Sequence, residues 1–312
     1  MAPEPLAAEA GIAPKRLAAV LADLAGRGFV IEAHPLSGLQ LVSAPPQLCE
    51  EELVCGLAVS RIGRIVRCVD SAASTNDLAW QAVAEGPQAA DGLAVFAEYQ
   101  SSGRGRRGTR WLAPAHSSVL CSVLVWMPDV PGQGAMLTRA AALAVAQAIE
   151  DQGRQEVGIK WPNDLVMDDR KVGGILIESR PEGSGIGPVV VGMGINCDQG
   201  EEAFPPEIRP YAGSLAMFGE EVDRTLLARA CLERLDQVMG RMGTPAGIAE
   251  IRQGIVDRCR TIGRRISVRE GDNTYTGQVA DLDPEYGLVL RLADGRVRVF
   301  AAMTTHVVAQ GQ

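Results

Sequence analysis

Five apolar, β-branched runs in the middle of the chain, GLAVFAEYQ, SSVLCSVLVW, VGIKW, KVGGILIES and GPVVVGMGINC, each close on turn residues. Interleaved with them, STNDLAWQAVAEG, AMLTRAAALAVAQAIED and DRTLLARACLERLDQVMGRM carry apolar residues at helical spacing. Such a pattern can bury its apolar faces only by packing helices on a sheet, so residues 49–258 are predicted to mix the two. After Gly263 the pattern changes to short strands without helices: RISVRE, TYTGQVADLD, GLVLRL and RVRVF. Turn residues part them at Gly271-Asp272-Asn273, Pro284-Glu285-Tyr286-Gly287 and Asp294-Gly295, predicting a small five-stranded barrel over 262–312. Before residue 49 the order is a short helix, a turn at Gly11, and a second helix opened by Pro14 and ended by Gly26 to Gly28. FVIEAHPLSGLQLVS then alternates about a turn at Pro35 to Gly38, as a two-stranded wing does. Residues 1–48 therefore read either as a helix-turn-helix with a wing, which is a DNA-reading layout, or as a helix pair that only packs.

With 312 residues the chain has room for two or three domains. Its 38 acidic and 30 basic residues leave a formal charge of -8, a sign that opposes unassisted binding to nucleic acid or an anionic membrane. No apolar run approaches the roughly 18 residues of a membrane helix, and the first residues lack a secretory layout. Seven scattered cysteines (Cys49, Cys55, Cys68, Cys121, Cys197, Cys231, Cys259) form no CxxC pair. They read as the reduced thiols of a cytoplasmic protein rather than as a disulfide frame or a zinc site. Three histidines spread along the length argue against a histidine metal centre.

Against that acidic background GRGRRGTRW, residues 103–111, sets four arginines and three glycines into nine positions. Gly103 and Gly108 have P-loop spacing, but Thr109-Arg110 stands where Lys-Ser/Thr is required, and Trp111 and Pro114 follow where a helix should begin. A disordered Gly-Arg tail does not belong between two apolar strands. Two readings remain: a solvated turn, or a loop folding over a small polyanion, with glycine admitting backbone N–H groups and arginine supplying forked donors.

Other fragments add to the second reading. KWPNDL, residues 160–165, brings a lysine, an indole, an amide and a carboxylate to a strand end that Pro162 turns. In DRKVGGILIE, Lys171 precedes Gly173-Gly174, where missing side chains let something approach the backbone. GMGIN, residues 192–196, ends at Asn196 and has Cys197 where a dinucleotide fingerprint needs its third glycine, which weakens a Rossmann reading. Each fragment alone is equally a strand-ending turn; together they describe a basic, glycine-lined cleft.

Ser74-Thr75-Asn76, YQSSGRGRRGTRW, KWPND, RKVGGILIE and GMGIN occur in this order, and the series closely resembles the biotin protein ligases. The likeness implies an α+β fold: a mixed-sheet, class II aminoacyl-tRNA synthetase-like catalytic domain over 49–258. It implies a winged helix-turn-helix before it, over 1–48, and an SH3-like β-barrel after it, over 262–312. Such enzymes join biotin to ATP, giving biotinyl-5'-AMP and pyrophosphate, and pass the biotinyl group to a lysine of a biotin carboxyl carrier domain. Two unit charges about 4 Å apart repel by roughly 4 kcal/mol at an effective dielectric near 20, so cations must converge before a carboxylate attacks a triphosphate.

The resemblance also implies roles. Ser74, Thr75, Asn76 and Gln100 meet the biotin ring system; Arg104, Gly105, Arg106, Lys171 and Gly174 follow its chain and carboxylate. Arg106, Arg107, Trp111, Lys160, Asn163 and Asn196 meet ATP and the adenylate, and Asp164 is the candidate Mg²⁺ ligand. Lys171, Arg104, Arg106 and Lys160 are the candidate catalytic cations. Ser74 reads as a helix N-cap as well, with Asp77 completing a partial capping box. Thr109 replaces a basic residue frequent in the family, which puts one phosphate contact in doubt, with Arg110 next door.

A homodimer is the candidate assembly. Two other readings stand beside the ligase: a lipoate or octanoate ligase of the same fold, and a biotin-responsive repressor whose central region is a sensor. For DNA the first 50 residues are unpromising, with three basic residues (Lys15, Arg16, Arg27) against five acidic ones (Glu4, Glu9, Asp23, Glu32, Glu50), net -2. The region also starts almost at the second helix of a winged domain, so it is expected to be vestigial or a packing element, or to miss an upstream helix. DNA binding is expected to be weak or absent.

Overall fold

Pro14, whose fixed φ suits a first helical turn, and Gly28, at φ 96°, bracket the second of two N-terminal helices, α1 (Pro3–Glu9) and α2 (Pro14–Gly26). Strands β1 (Val30–His34) and β2 (Gly38–Ser43) follow as an antiparallel hairpin, with Glu32 opposite Gln40. Among the described residues here, Ala7, Leu17 and Phe29 are the buried apolar side chains. The computed structural model describes residues 3–310 except 35–37, 87–89, 129–132, 154–155, 181–185, 220–221, 284–286 and 303. The expected turns at Pro35 to Gly38 and Pro284 to Gly287 fall largely outside the described residues. Met1–Gln47 forms one compact unit and Leu48–Gln312 another.

The larger unit opens with α3 (Glu50–Val54), β3 (Ile65–Ala72), α4 (Thr75–Glu85), β4 (Leu93–Gln100), β5 (Ser118–Pro128) and α5 (Gln133–Glu150). It continues through β6 (Gly158–Lys160), β7 (Asp164–Met167), β8 (Arg170–Ser179), β9 (Ile186–Asn196), α6 (Arg224–Arg241) and α7 (Pro245–Arg258). One seven-stranded sheet runs β3-β4-β5-β9-β8-β7-β6, parallel between β3 and β4 and antiparallel at the other pairings. This is the mixed sheet expected for residues 49–258. Its apolar runs are continuous because both faces are covered. Along β4, Ala94 and Phe96 enter the main core with α5 and α6, whereas Leu93 and Val95 face the smaller core under α4.

Several elements escape the sequence pattern. β3 is an edge strand exposed at most alternate positions, β7 has only four residues, and α7 follows α6 almost without interruption. Beyond α7, five antiparallel strands, β10 (Arg265–Glu270), β11 (Asn273–Asp283), β12 (Gly287–Leu292), β13 (Val297–Phe300) and β14 (Thr305–Gln310), lie in the order β13-β12-β11-β10-β14. Gly271 takes φ 57° in the two-residue turn between Glu270 and Asn273, a conformation cheap only for glycine. Ile266, Val268, Leu288 and Phe300 continue the same core as the large sheet.

Candidate functional site

Ser74 caps α4: its Oγ accepts from the Asn76 N–H at 3.3 Å. The capping box does not form, because Asp77 turns its carboxylate to Arg104 in a two-pronged pair at 2.7 and 2.9 Å. The N-terminal turn of α4 is held from β4 and β5. Gln100 Oε1 accepts from the Thr75 N–H at 2.7 Å, and Ser122 Oγ lies 2.6 Å from both Thr75 Oγ1 and Asn76 Oδ1. Ser122 is fully buried. The one trace it leaves in the sequence is a hydroxyl at an inward position of an apolar strand.

Ser74, Thr75, Asn76 and Gln100 floor a cavity of about 670 Å³, with Ser122 behind them. Its walls include Ser74, Thr75, Asn76, Gln100, Arg104, Gly105, Arg106, Arg107, Trp111, Lys160, Asn163, Asp164, Lys171 and Gly174, all of them sequence candidates, together with Thr109 and Arg110. Asn196 is not on the wall. Its Nδ2 donates to the Gly213 carbonyl at 2.9 Å and its Oδ1 accepts from Gln199. Gly213 in turn donates to the Lys171 carbonyl, and the Lys171 N–H donates to Tyr211, so a strap over residues 211–213 fixes the Lys171 backbone.

The glycines are explained by what lies against them. A Cβ on Gly194 would stand 2.6 Å from the Trp111 ring, and one on Gly192 2.6 Å from Asn76 Oδ1. A Cβ on Gly174 would crowd Lys171 and the same indole. GMGIN and RKVGG are thus the seat of Trp111, which also carries Lys171 Nζ 5.5 Å above its ring centre.

Among the described residues lining the cavity are four arginines, two lysines and one carboxylate, in a chain of net charge -8. The cations are not equivalent. Arg104 lies between Asp77 and Glu178, and the Asp77 hydrogen bonds hold its guanidinium above the usual arginine range. Glu178 is itself fixed by Trp80 Nε1 at 2.8 Å. Burial, and then the neighbouring Arg107, push Arg106 below that range, while its Nη2 donates to the Ala302 carbonyl. Arg107, at φ 58°, is lowered by burial and then by Arg269. Lys171 Nζ meets Asp164 at 2.6 Å across the bulge between β7 and β8. Thr109 Oγ1 turns inward to the Arg106 carbonyl, and Arg110 reaches Ser101 O at 3.4 Å.

Two donors on the wall, Asn76 Nδ2 and Trp111 Nε1, are buried without partners among the described residues. Among the described residues no cluster of three or more His, Cys, Asp or Glu side chains is placed to hold a metal ion, and no helix is long and apolar enough to cross a membrane. Asp77, Glu178, Ser122 and Tyr211 were not legible as site residues, because each acts on a partner distant in sequence.

The model of the biotin/lipoate A/B protein ligase family matches residues 69–196. The bifunctional ligase/repressor BirA of Bacillus subtilis is 31% identical over 286 residues, covering 90% of this chain and 86% of that protein. A biotin–[acetyl-CoA-carboxylase] ligase of Mycobacterium tuberculosis is 34% identical over 226 residues, covering 70% of this chain and 80% of that protein. Among solved structures, the biotin protein ligase from Aquifex aeolicus in complex with biotin and ATP shares the fold at a TM-score of 0.65 and 23% identity. That match covers 80% of this chain and 100% of the other.

Proposed function

Because the chain belongs to the biotin/lipoate A/B protein ligase family, we propose that its cavity activates biotin with ATP and passes the biotinyl group to a lysine of a biotin carboxyl carrier domain. The observation that carries this reading is one cavity whose lining joins a neutral, hydrogen-bonding floor to six cations against one carboxylate. Neutral amides and hydroxyls suit a ureido ring; the excess cations suit a carboxylate and a triphosphate held together.

In the first step a biotin carboxylate oxygen attacks the α-phosphorus, and the bond to pyrophosphate breaks with its electron pair on the leaving group. Lys171 offsets the carboxylate charge, and its fixed backbone keeps the ammonium in place. Lys160, Arg106 and Arg107 serve the phosphates. Arg104, occupied by Asp77 and Glu178, positions the loop beside the biotin chain together with Gly105 and Gly174. Trp111 and Asn163 hold the adenine, and Asn196 supports the site indirectly by binding the strap at Gly213. In the second step the carrier lysine attacks the acyl carbon and AMP leaves. Water must be excluded meanwhile, which the arginine loop supports by reaching to Ala302.

Mg²⁺ arrives with phosphates and needs only one or two protein carboxylates, a demand that Asp164 fits. When bound it would supply charge neutralisation at the phosphate oxygens. The three-part division, with a winged helix-turn-helix over 1–48, the catalytic domain over 49–258 and an SH3-like barrel over 262–312, belongs to the same reading. So do a homodimer as the candidate assembly and a cytoplasmic location, which seven cysteines outside any disulfide support. The net -2 charge of the first 50 residues supports weak DNA binding or none.

The test is transfer. The protein is incubated with ATP, a carrier domain and labelled biotin, with lipoate in a parallel arm. Label on the carrier lysine from biotin is the expected result; label from lipoate alone, or none, would overturn the reading.

A further inference from the structure

The arginine loop is a short hairpin. Trp111 N–H donates to the Gly103 carbonyl at 2.9 Å, Gly105 N–H donates to the Thr109 carbonyl at 2.7 Å, and Arg104 stands opposite Arg110 in an antiparallel bridge. Its base is clamped, because Arg104 is forked onto Asp77 of α4 and paired with Glu178 of β8. Glycine lets the two arms close: a Cβ on Gly103 would stand 2.7 Å from the Trp111 carbonyl oxygen, and one on Gly105 2.5 Å from Thr109 Oγ1. The clamp leaves the tip, Arg106 to Gly108, still to be fixed, and the tip carries two of the cavity's cations.

That tip is not secured by its own sequence. Thr109 N–H donates to the Arg106 carbonyl at 3.2 Å, with Arg107 at φ 58° and Gly108 at φ 76° between them. Two successive left-handed residues are the mark of a type I′ turn, which favours Asn-Gly, Asp-Gly or Gly-Gly. Arginine in the first of these places bears a Cβ that the conformation resists. Thr109 supplies the missing support. Its Oγ1 donates a second hydrogen bond to the same Arg106 carbonyl, at 2.9 Å, and sits in the space that Gly105 leaves open. Arg106 is then held at two points, its carbonyl by Thr109 and its guanidinium by the Ala302 carbonyl.

We propose that Thr109 is a positioning residue for the phosphate end of the cavity: its hydroxyl locks the turn that presents Arg106 and Arg107 to the anion. The identity of that anion rests on the ligase reading. Thr109 acts here without a charge of its own, since its hydroxyl proton is given to the loop rather than to a ligand. Without that bond Arg106 keeps its charge and its tether to Ala302, but its backbone is free to leave the turn. Binding must then order the loop as well, and part of each phosphate contact is lost to that ordering. A donor already in place stabilises an anion more than one that has to be brought there.

Thr109→Val keeps the shape and deletes the hydroxyl, and calorimetric titration of inorganic pyrophosphate into the full chain reads the change without turnover. Pyrophosphate should bind about fivefold more weakly, while biotin titrated alone stays within about twofold. In pyrophosphate-release kinetics KM for ATP should rise by about the same factor, with kcat within about twofold. The Tm should barely move, because Thr109 is exposed, and Thr109→Ser should restore wild-type affinity. Equal pyrophosphate affinity in wild type and Thr109→Val would overturn the proposal. So would a loss that Thr109→Ser does not restore, or one that falls equally on biotin. A carrier that takes no label from biotin would sink the ligase reading and leave these titrations standing, so the two fail separately.

Discussion

The two ends of the cavity are built in opposite ways. At the α4 end, Ser74, Thr75, Asn76, Gln100 and Ser122 satisfy nearly all their hydrogen bonds with one another, leaving Asn76 Nδ2 over. At the loop end, Arg106 is partly buried and Arg107 exposed, each beside like charge, with Asp164 already paired to Lys171. The first arrangement is preorganised for a neutral ligand; the second is favourable only once an anion arrives. Arg104 marks the boundary, since its charge is spent on Asp77 and Glu178.

If the loop end exists to gather anions, Lys171→Ala should do the greatest damage. Pyrophosphate release should fall by about 10³-fold, equivalent to roughly 4 kcal/mol of transition-state stabilisation. The thermal transition should barely move, because the Lys171 ammonium is half-exposed rather than core. Near-normal release would remove it from the chemistry.

Arg106→Gly should come next. Losing the cation and the tether to Ala302 should weaken ATP by about tenfold or more, and it should let biotinyl-5'-AMP escape before transfer. Bystander proteins mixed with this variant, biotin and ATP should become labelled at lysines. Clean bystanders beside normal carrier labelling would show that the loop does not retain the adenylate.

Ser122→Ala probes the other end more gently. It removes one buried hydroxyl that braces Thr75 and Asn76, so biotin should weaken about tenfold. ATP titrated alone should be unaffected.

The smallest expected effect is at the amino end. A gel shift of the protein with biotin and ATP against its own upstream DNA, at physiological salt, should show no specific complex below about micromolar. A salt-sensitive, sequence-specific nanomolar complex would restore the repressor reading.

What the sequence disclosed follows from where each signal is stored. The strand runs were legible because both faces of the sheet are buried, which turns β4, β5 and β9 into unbroken apolar segments. The edge strand β3 alternates and so resembles a loop. Helix α7 is marked by Thr244 before Pro245, then by Ile248, Ile251 and Ile255 at helical spacing. Within the site, the basic and glycine motifs could be gathered because they are local. The partners could not. Asp77 sits three residues after a cap residue, where a capping box is the natural expectation, yet its carboxylate crosses to Arg104, 27 residues on. Asn196 acts through Gly213, 17 residues on, an environment that neighbouring residues do not reveal.

The division between the two ends is tested most directly by titrating biotin alone and ATP alone into Arg106→Gly and into Ser122→Ala. A crossed pattern is expected: Arg106→Gly loses ATP affinity while biotin stays within about threefold, and Ser122→Ala loses biotin affinity while ATP stays within about threefold. If both variants lost both ligands equally, the cavity would be one indivisible site, and the assignment of its neutral floor to biotin and its cationic end to ATP would be wrong.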